Sequence, residues 1–551
     1  MAEKVCSINF LTGWSEGMSK EQDDKWKSDF IDKWRTRSLA NADQLDRDFE
    51  KYSKLAAEKG EVLHDTPIWQ MPEPWPEKEW REYQKQQEAK QGAKLRRDYS
   101  KQFDNVAIYA PALSETYVRF VEAGKFNKAN VPFLATDLNF LDPDCGLFHY
   151  PWALYSAGQA ADTAGQAAKT DWVSRSQRAT GTHVVGDSGG FQIQQNTIKF
   201  RGASTLNRML RWMEKTSDYS MILDVPTGGI GMGNARKYVG QLDARGFAVS
   251  EKAKINGFNP DYMACLMQTE INNRYFRRYR QHGKTKLLNV IQGRNEKESR
   301  YWYERMKAFP FEGIAFAGKH SVRFSMTMRR IRQMLDDGLL KNCPWIHFLG
   351  VSTFRTAAAL TFLQRELRLH PNANQNIQIT FDSISGIKAV ANGYNAYTGF
   401  DFDPSTWRFT QEKISVAKYQ NSKRVLNEIC AEVTQNRGGS KENKIPGFSV
   451  IGWSLQLGQM IETKPDKEGN PRLYMPEENG FCLMNHNMEI MIRGFQQLGN
   501  YLDKEGIGMP QSITTIMYLI RTIIFPVNNY DPFELIDEAA AELDAIAMRI
   551  D

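Results

Sequence analysis

The sequence has few cysteines, and their spacing does not suggest a cysteine-based site. Its six cysteines are spread over 551 residues without a C-x-x-C pair, so neither a disulfide framework nor a strong zinc module is indicated. Proline and glycine, 21 and 40 residues, are too sparse for a fibrous or low-complexity chain. With 41% hydrophobic and 12% aromatic residues, the composition predicts a globular protein of a reducing compartment.

Long apolar runs and a large charge excess are also missing. No uninterrupted stretch approaches the roughly 18 residues that a membrane-spanning helix needs, and segment 1–10 mixes Glu3 and Lys4 into a short apolar patch. The 71 Lys and Arg nearly balance 65 Asp and Glu, which leaves a net charge of +6. We therefore expect a soluble cytoplasmic protein without a membrane partner, whose charge permits a polyanionic partner but does not demonstrate one.

Residues 1–100 are richer in charged residues than the rest of the chain. They contain 18 Lys and Arg and 20 Asp and Glu, so the net positive charge resides in residues 101–551. Two stretches, 20–59 and 77–97, have the pattern of exposed helices on either side of the proline-rich segment 67–76. The pattern predicts a charged helical extension that precedes one large domain. This extension is either an arm that packs on that domain or on a partner, or a solvated appendage without a catalytic part. The high density of charged residues favours the solvated appendage.

From about residue 106 onward, short apolar runs rich in β-branched residues alternate with longer amphipathic stretches. This alternation predicts an α/β fold with a parallel sheet and crossover helices. Eight strand candidates favour a TIM-type (β/α)8 barrel with insertions, although an open doubly wound sheet also fits that count. The predicted strands are 106–110, 132–136, 183–186, 219–223, 287–291, 313–316, 346–349 and 377–381, and the helical patterns include 269–281, 297–308, 326–340 and 353–369.

Polar residues follow several of these strands at equivalent positions. Asp187, Asp224 and Asp382 follow three different strands, and Gln292 follows a fourth. A single Asp after a strand is more often a helix N-cap than a catalyst. In a barrel, however, the strand ends converge on one mouth, where such side chains are desolvated together, which is costly without a ligand. Their joint occurrence therefore favours a functional site.

The segment Asp187-Ser-Gly-Gly-Phe-Gln192 resembles the D-S-G-G-[FY]-Q signature of the tRNA-guanine transglycosylase superfamily. The resemblance covers roughly residues 106–500 and implies a TIM-type barrel enzyme, a pentosyltransferase that exchanges guanine in a nucleic acid for a free 7-deazaguanine base without a redox cofactor. Further segments follow in the family's order: Leu223-Asp224, Val290-Ile-Gln-Gly293, Ala317-Gly318, Leu349-Gly-Val351 and Phe381-Asp382.

This resemblance implies two catalytic residues. Asp382 corresponds to the nucleophile that attacks C1′ of the target nucleoside and forms a covalent Asp–sugar intermediate, and Asp187 corresponds to the general acid/base. The chemistry calls for these residue types, because cleavage of an N-glycosidic bond passes through an oxocarbenium-like state that a carboxylate stabilises. Two displacements by one carboxylate retain the configuration at C1′.

The remaining predicted site residues bind the base. The edge of a guanine-type base presents an N–H, an amino group and a carbonyl, which call for hydrogen-bond acceptors and a donor on the protein. The apolar faces of the base call for apolar side chains. Lys319, which directly follows a strand, is predicted to contact a phosphate or the base. The set predicted from the resemblance comprises Ser188, Asp224, Gln292, Gly293 and Gly318 at the edge of the base and Phe191 and Leu349 on its faces.

The first departure from the family concerns zinc. The tRNA enzymes bind a structural zinc through a C-x-C-x-x-C cluster and a later His, but after Asp382 this chain has only Cys430, Cys482 and His486 as candidates. Structural zinc sites almost always have four ligands. Two buried thiols and a capping His at the head of the last helix, 488–502, are therefore favoured, and we expect no zinc.

The second departure lies after the nucleophile. The tRNA enzymes have F-D-C-V-L-P-T-R there, whereas this chain reads Phe381-Asp-Ser-Ile-Ser-Gly-Ile-Lys388. Together the two departures favour the phage and bacterial DNA transglycosylases that install bases such as preQ0, in a host cytoplasm if the gene is phage-encoded. The same exchange on tRNA, of the queuosine or archaeosine type, stays open, as does a non-catalytic partner subunit, although the two acids argue against the latter. An oligomer or an accessory protein is compatible with base exchange on DNA and with base exchange on tRNA.

The C1′ atom of a nucleotide inside a stacked duplex is out of reach of Asp382, so the target nucleotide is expected to be single-stranded or flipped. The stretch 274–280 alternates cations and rings that could hold phosphates and stack bases. The competing interpretation, an outer barrel helix with Tyr275, Phe276 and Tyr279 in the core, is favoured because such helices usually lie far from the mouth.

Overall fold

The structure is a computed structural model that describes residues 97–100, 105–126, 131–160, 172–230, 239, 241–242, 256–414, 416–437, 443–503, 508–527 and 530–547. The predicted helix at 20–59 and nearly all of the one at 77–97 lie outside the described residues. The domain boundary at residue 100 therefore stays a prediction.

Eight parallel strands form the central sheet. In chain order the first ten strands are β1 (Arg97–Asp98), β2 (Ile108–Pro111), β3 (Phe148–His149), β4 (Trp152–Ser156), β5 (His183–Asp187), β6 (Tyr219–Met221), β7 (Lys286–Ile291), β8 (Gly313–Phe316), β9 (Trp345–Phe348) and β10 (Gln378–Ser383). The sheet has the order β2-β10-β9-β8-β7-β6-β5-β4, and a parallel bridge between Ala112 and Leu154 links its two outer strands. It is therefore a nearly closed barrel, which confirms the predicted TIM-type α/β fold. The short strands β1 and β3 pair separately.

Helices connect the strands and continue beyond the barrel. They are α1 (Glu115–Ala123), α2 (Ala157–Ala160), α3 (Gly190–Gln194), α4 (Ala203–Thr216), α5 (Pro260–Tyr279), α6 (Glu296–Met306), α7 (Phe324–Asp336), α8 (Phe354–Leu369), α9 (Ser385–Ala391), α10 (Val416–Tyr419), α11 (Leu426–Gln435), α12 (Glu477–Leu502), α13 (Gln511–Ile524), α14 (Pro532–Glu538) and α15 (Ala540–Ala545). The side chains of Asn259, Asn295 and Thr353 accept first-turn N–H groups and so define where α5, α6 and α8 begin. Within the described ranges, no helix combines the length and apolarity needed to cross a membrane.

The strand predicted at 132–136 is wrong. That segment leads into a 3-10 helix, and the strand that pairs with β5 is Trp152–Ser156. The carboxylate of Asp137 accepts the N–H of Leu134 at 2.8 Å, and such local side-chain bonds stabilise turns in competition with extended pairing. The sequence of β4, Trp-Ala-Leu-Tyr-Ser, contains none of the β-branched residues on which the strand predictions were based.

A small antiparallel sheet extends the barrel after β10. Its strands are β11 (Asn395–Asp401), β12 (Arg408–Lys413) and β13 (Lys444–Pro446), with β11 in the middle, and a separate hairpin joins β14 (Glu462–Pro465) to β15 (Pro471–Tyr474). An aromatic cluster packs this sheet against the barrel helices, because the ring of Phe409 lies 4.0 Å from that of Phe354 and 5.2 Å from that of Phe495. This insertion therefore packs on α8 and α12.

The helix predicted at 488–502 is longer than expected and is not the last one. It begins at Glu477 and is followed by α13, α14 and α15. Its apolar run continues upstream through Phe481 and Leu483, which are buried. His486 therefore lies inside a helix and not at its head, which corrects the prediction of a capping His.

Candidate active site

Three predicted acidic residues converge at the C-terminal end of the barrel. Asp187 is the last residue of β5, Asp382 lies near the end of β10, and Asp224 follows β6. Repulsion from Asp382 contributes to the pKa of Asp187, and repulsion from Asp187 contributes to that of Asp224. Carboxyl groups that are remote in sequence thus meet at one barrel mouth.

Asp187 is held by a residue that sequence reasoning missed. Ser156 lies opposite it in the neighbouring strand β4, and its Oγ donates a hydrogen bond of 2.6 Å to Asp187 Oδ2. Burial raises the pKa of Asp187, the Ser156 hydrogen bond opposes this rise, and the charge of Asp382 adds to it. A carboxyl group with a raised pKa is suited to hold and transfer a proton. Since the strand containing Ser156 was not predicted, this partner had no sequence signal.

Asp224 is almost fully buried, and Gln292 orients it. Burial, followed by repulsion from Asp187, raises the pKa of Asp224 to about 7. Gln292 Nε2 donates to Asp224 Oδ2 at 2.8 Å and to the carbonyl of Val225 at 3.0 Å, while its Oε1 accepts from the backbone and hydroxyl of Thr227. Both N–H groups of the Gln292 amide therefore donate hydrogen bonds within the protein, and its oxygen accepts two, so the amide positions Asp224. It reaches a base directly only by exchanging one of these bonds.

The partners of Asp382 occupy one of its two carboxylate oxygens. The N–H of Gly350 donates to Oδ1 at 2.9 Å, and His347 Nε2 lies 3.4 Å from the same atom. No described residue donates a hydrogen bond to Oδ2, which leaves that oxygen available as a nucleophile. Gly350 has φ +77, a conformation that favours glycine.

His347 is a second residue that sequence reasoning missed. Its ring is fully buried, and Nδ1 lies 2.8 Å from Thr380 Oγ1. Nε2 faces Asp382 Oδ1 across 3.4 Å without forming a hydrogen bond to it, so the ring packs against the carboxylate. The available signal was a single ionisable residue in the otherwise apolar strand β9.

The glycines of the signature segment bring two loops together. Gly189 has φ +87, and a Cβ at this position would lie 2.5 Å from the Cα of Gly158. A Cβ on Gly190 would lie 2.7 Å from the carbonyl oxygen of Asp224. The structure assigns them a role in packing the loops after β4, β5 and β6, which places Asp187 beside Asp224.

The residues predicted to bind a base lie around this mouth. Ser188 is buried, and its Oγ has no partner among the described residues. Phe191 on α3 is 58% exposed, so one aromatic face is open to a ligand. Leu349 follows β9 and is half-buried. An unsatisfied buried hydroxyl next to an exposed ring is costly for an empty site and is typical of one that binds a polar, flat molecule.

The loops after β7 and β8 contact each other. Gly318 has φ +67, and the N–H of Lys319 donates to the carbonyl of Gly293 at 3.4 Å. The side chain of Lys319 is exposed and forms no ion pair with any described residue. The position of Lys319 thus leaves its ammonium group available to an anion, as expected for a residue that follows a barrel strand.

The basic and aromatic stretch 274–280 lies away from the mouth. It ends α5, the helix that returns the chain to the start of β7, so it lies at the opposite end of the barrel. Phe276 is fully buried, as the outer-helix interpretation predicts, but Tyr279 is 45% exposed and is not part of the core. Arg280 forms an ion pair with Glu312, just before β8. This stretch is therefore not part of the candidate site.

The three zinc candidates are engaged in packing. His486 Nδ1 lies 2.6 Å from Ser449 Oγ, and Nε2 lies 2.9 Å from the carbonyl oxygen of Tyr397, so this nitrogen carries the proton. Burial raises the pKa of the thiols of Cys430 and Cys482. The part of the chain that the structure describes contains no group of three His, Cys, Asp or Glu residues placed to hold a metal ion.

Metal analysis tests the predicted absence of zinc. Protein purified without chelators is expected to contain well below one zinc per chain, because the nitrogen atoms of His486 already have partners within the fold. Elemental mass spectrometry of the purified protein gives the ratio of zinc to protein chain. A value near one zinc per chain, lost together with thermal stability on chelation, contradicts this expectation.

Comparison with known proteins adds no family assignment: no protein-family model matches the chain, and no curated protein matches it.

Proposed function

We propose that this protein is a nucleobase-exchange transglycosylase that replaces guanine in DNA with a 7-deazaguanine base of the preQ0 type. The observation that carries the proposal is the meeting of Asp187 and Asp382 at one end of the barrel. Their surroundings differ: one carboxyl group has a raised pKa, and the other has a carboxylate oxygen without a described partner. An acid and a nucleophile in one cleft is what exchange at a glycosidic carbon requires.

In the first step, a carboxylate oxygen of Asp382 attacks C1′ of the flipped nucleotide. The bond between C1′ and N9 of guanine breaks, and the electron pair leaves with the base. Asp187 donates a proton to the departing base, which is thereby released as neutral guanine. The sugar is then held as an ester of Asp382, with its configuration inverted.

In the second step, a 7-deazaguanine occupies the same position. Asp187, now ionised, removes a proton from the incoming base, whose N9 attacks C1′. The ester bond breaks, and its electron pair returns to the carboxylate of Asp382. The second inversion restores the original configuration, and the enzyme regains its starting protonation state.

Recognition of the base rests on the buried polar groups around the mouth. Ionised Asp224 accepts N–H groups from the edge of the base, and Gln292 holds it in place. Ser188 Oγ and the backbone at Gly318 complete the edge, while Phe191 stacks on one face and Leu349 covers the other. The unsatisfied hydroxyl of Ser188 supports this assignment.

The choice of DNA rests on the two departures from the tRNA enzymes, and an incorporation assay tests it. Labelled preQ0 is incubated with the protein and with single-stranded DNA, duplex DNA or tRNA. Label is expected in DNA and not in tRNA, and the Asp382→Asn variant serves as the control for adventitious labelling. Incorporation into tRNA alone rejects the DNA assignment. No incorporation into any of the three favours the non-catalytic partner subunit.

A further inference from the structure

A cavity of about 370 Å³ lies near the candidate active site. It is lined by the loop after β9, the first turn of α8, the helix α9 and the hairpin of β11 and β12, and it is open to solvent on one side. Ser352 and Ser385, two of its lining residues, follow Gly350 and Asp382 by two and three residues. A chain of three residues spans at most about 11 Å, so the cavity adjoins the nucleophile.

The charge of this cavity is strongly positive. Its lining includes Arg355, Lys388 and Arg408 but no carboxylate. Asp401 and Asp403 lie near Arg408 and partly neutralise its positive charge. No described carboxylate forms an ion pair with either Arg355 or Lys388. The cavity therefore presents at least two uncompensated cations together with several hydroxyl groups.

Arg355 is the strongest indication of a ligand. Only 8% of it is exposed, its Nε has no hydrogen-bond partner among the described residues, and burial lowers the pKa of its guanidinium without an opposing carboxylate. A buried, unpaired guanidinium destabilises a fold. An anion in the cavity removes this cost, and guanidinium groups bind phosphate oxygens in a bidentate manner.

The N-terminus of α8 also favours an anion in this cavity. Thr353 caps the helix, and its Oγ accepts the N–H of Thr356 at 3.2 Å. The helix has 16 residues, and Thr353, Phe354 and Arg355 of its first turn line the cavity. Free N–H groups and the positive end of the helix dipole attract an anion at the same place as the Arg355 side chain.

We propose that this cavity binds a phosphodiester group of the DNA strand, next to the nucleotide whose base is exchanged. The inference rests on the proposed function, since it assigns the anion to the nucleic-acid substrate. A strand whose sugar lies at Asp382 carries its flanking phosphates within reach of the adjacent cavity. Binding one of them there fixes the position of C1′ relative to the nucleophile and offsets part of the cost of flipping the nucleotide.

Binding measurements with Arg355→Gln test the proposal. The variant is expected to bind a fluorescent single-stranded oligonucleotide about tenfold or more weakly than the wild type, because a charge-assisted hydrogen bond is lost, while its affinity for the free base stays unchanged. The slope of log affinity against log salt is expected to fall by about 0.7. Arg355→Lys, which keeps the charge but not the planar fork, should recover only part of the affinity. Arg277→Gln removes an exposed charge at the far end of the barrel and should bind like the wild type.

A scan with methylphosphonate linkages locates the phosphate. One neutral linkage next to the target nucleotide is expected to weaken binding to the wild type but not further to Arg355→Gln. If no single position matters to the wild type, the proposal is wrong, whether or not the variant folds. It is also wrong if Arg355→Gln weakens free-base binding equally, if inorganic phosphate binds as tightly as the oligonucleotide, or if only tRNA binding depends on Arg355. Arg355-dependent DNA binding without base exchange would overturn the proposed function and leave the cavity assignment standing.

Discussion

Asp382→Asn is expected to slow base exchange by about four orders of magnitude or more, because removal of a covalent nucleophile eliminates the ester intermediate. Asparagine has the shape of aspartate, and its carbonyl oxygen can still accept the N–H of Gly350, so the fold should be retained. Single-turnover incorporation of labelled base measures the rate. Denaturing electrophoresis detects the covalent protein–DNA adduct, which should form with the wild type and not with the variant.

Two comparisons make this result specific. Asp337→Asn removes a carboxylate at the end of α7, on the far side of the barrel, where it accepts hydrogen bonds from Tyr303 and Lys307. That variant should exchange bases at the wild-type rate. Thermal melting followed by circular dichroism shows whether Asp382→Asn is folded. If the folded variant exchanges bases normally, the assigned nucleophile is wrong.

Asp187→Asn is expected to reduce exchange by about 10²- to 10⁴-fold, the usual contribution of a general acid or base. The defect should be largest for guanine departure, because the leaving base no longer receives a proton. Burst kinetics separate adduct formation from its resolution. A variant that forms the adduct at the normal rate shows that another group protonates guanine.

The same substitution should change the pH dependence of base binding. In the proposed complex ionised Asp224 accepts N–H groups from the base, so affinity should rise as the pH increases through its pKa of about 7. Repulsion from Asp187 is the second cause of that raised pKa, after burial. Removing the charge at Asp187 therefore lowers the pKa of Asp224, and the midpoint for 7-deazaguanine binding should move to lower pH. Calorimetric titration from pH 5 to 9 measures this shift, and an unchanged midpoint means that the two carboxyl groups are not coupled.

The barrel could be predicted because its strands and helices carry local signals. Short β-branched runs such as 287–291 correspond to strands, and amphipathic stretches such as 297–308 correspond to helices, since burial of one face imposes a period on the sequence. The exception is Trp152–Ser156, which is buried but lacks β-branched residues. The segment predicted in its place, 132–136, contains an apolar run but is held in a turn by Asp137.

The candidate site was predictable only in part. The strand-end positions of Asp187, Asp224 and Asp382 follow from the chain order, because parallel strands end at the same side of a barrel. Two partners were not predictable. Ser156 lies in the strand that was missed, and His347 had no visible relation to the nucleophile until β9 was placed next to β10.

The class of fold and the acidic residues at the barrel mouth could be read from the amino-acid sequence, because hydrophobic periodicity and strand-end position are local properties of the chain. The packing of distant segments sets the groups that orient those acids and the bonds that the amide of Gln292 forms within the protein. It also buries Arg355 without a counter-ion among the described residues. These are properties of distance and desolvation between side chains that lie 31 to 68 residues apart in the chain, and no local pattern encodes them.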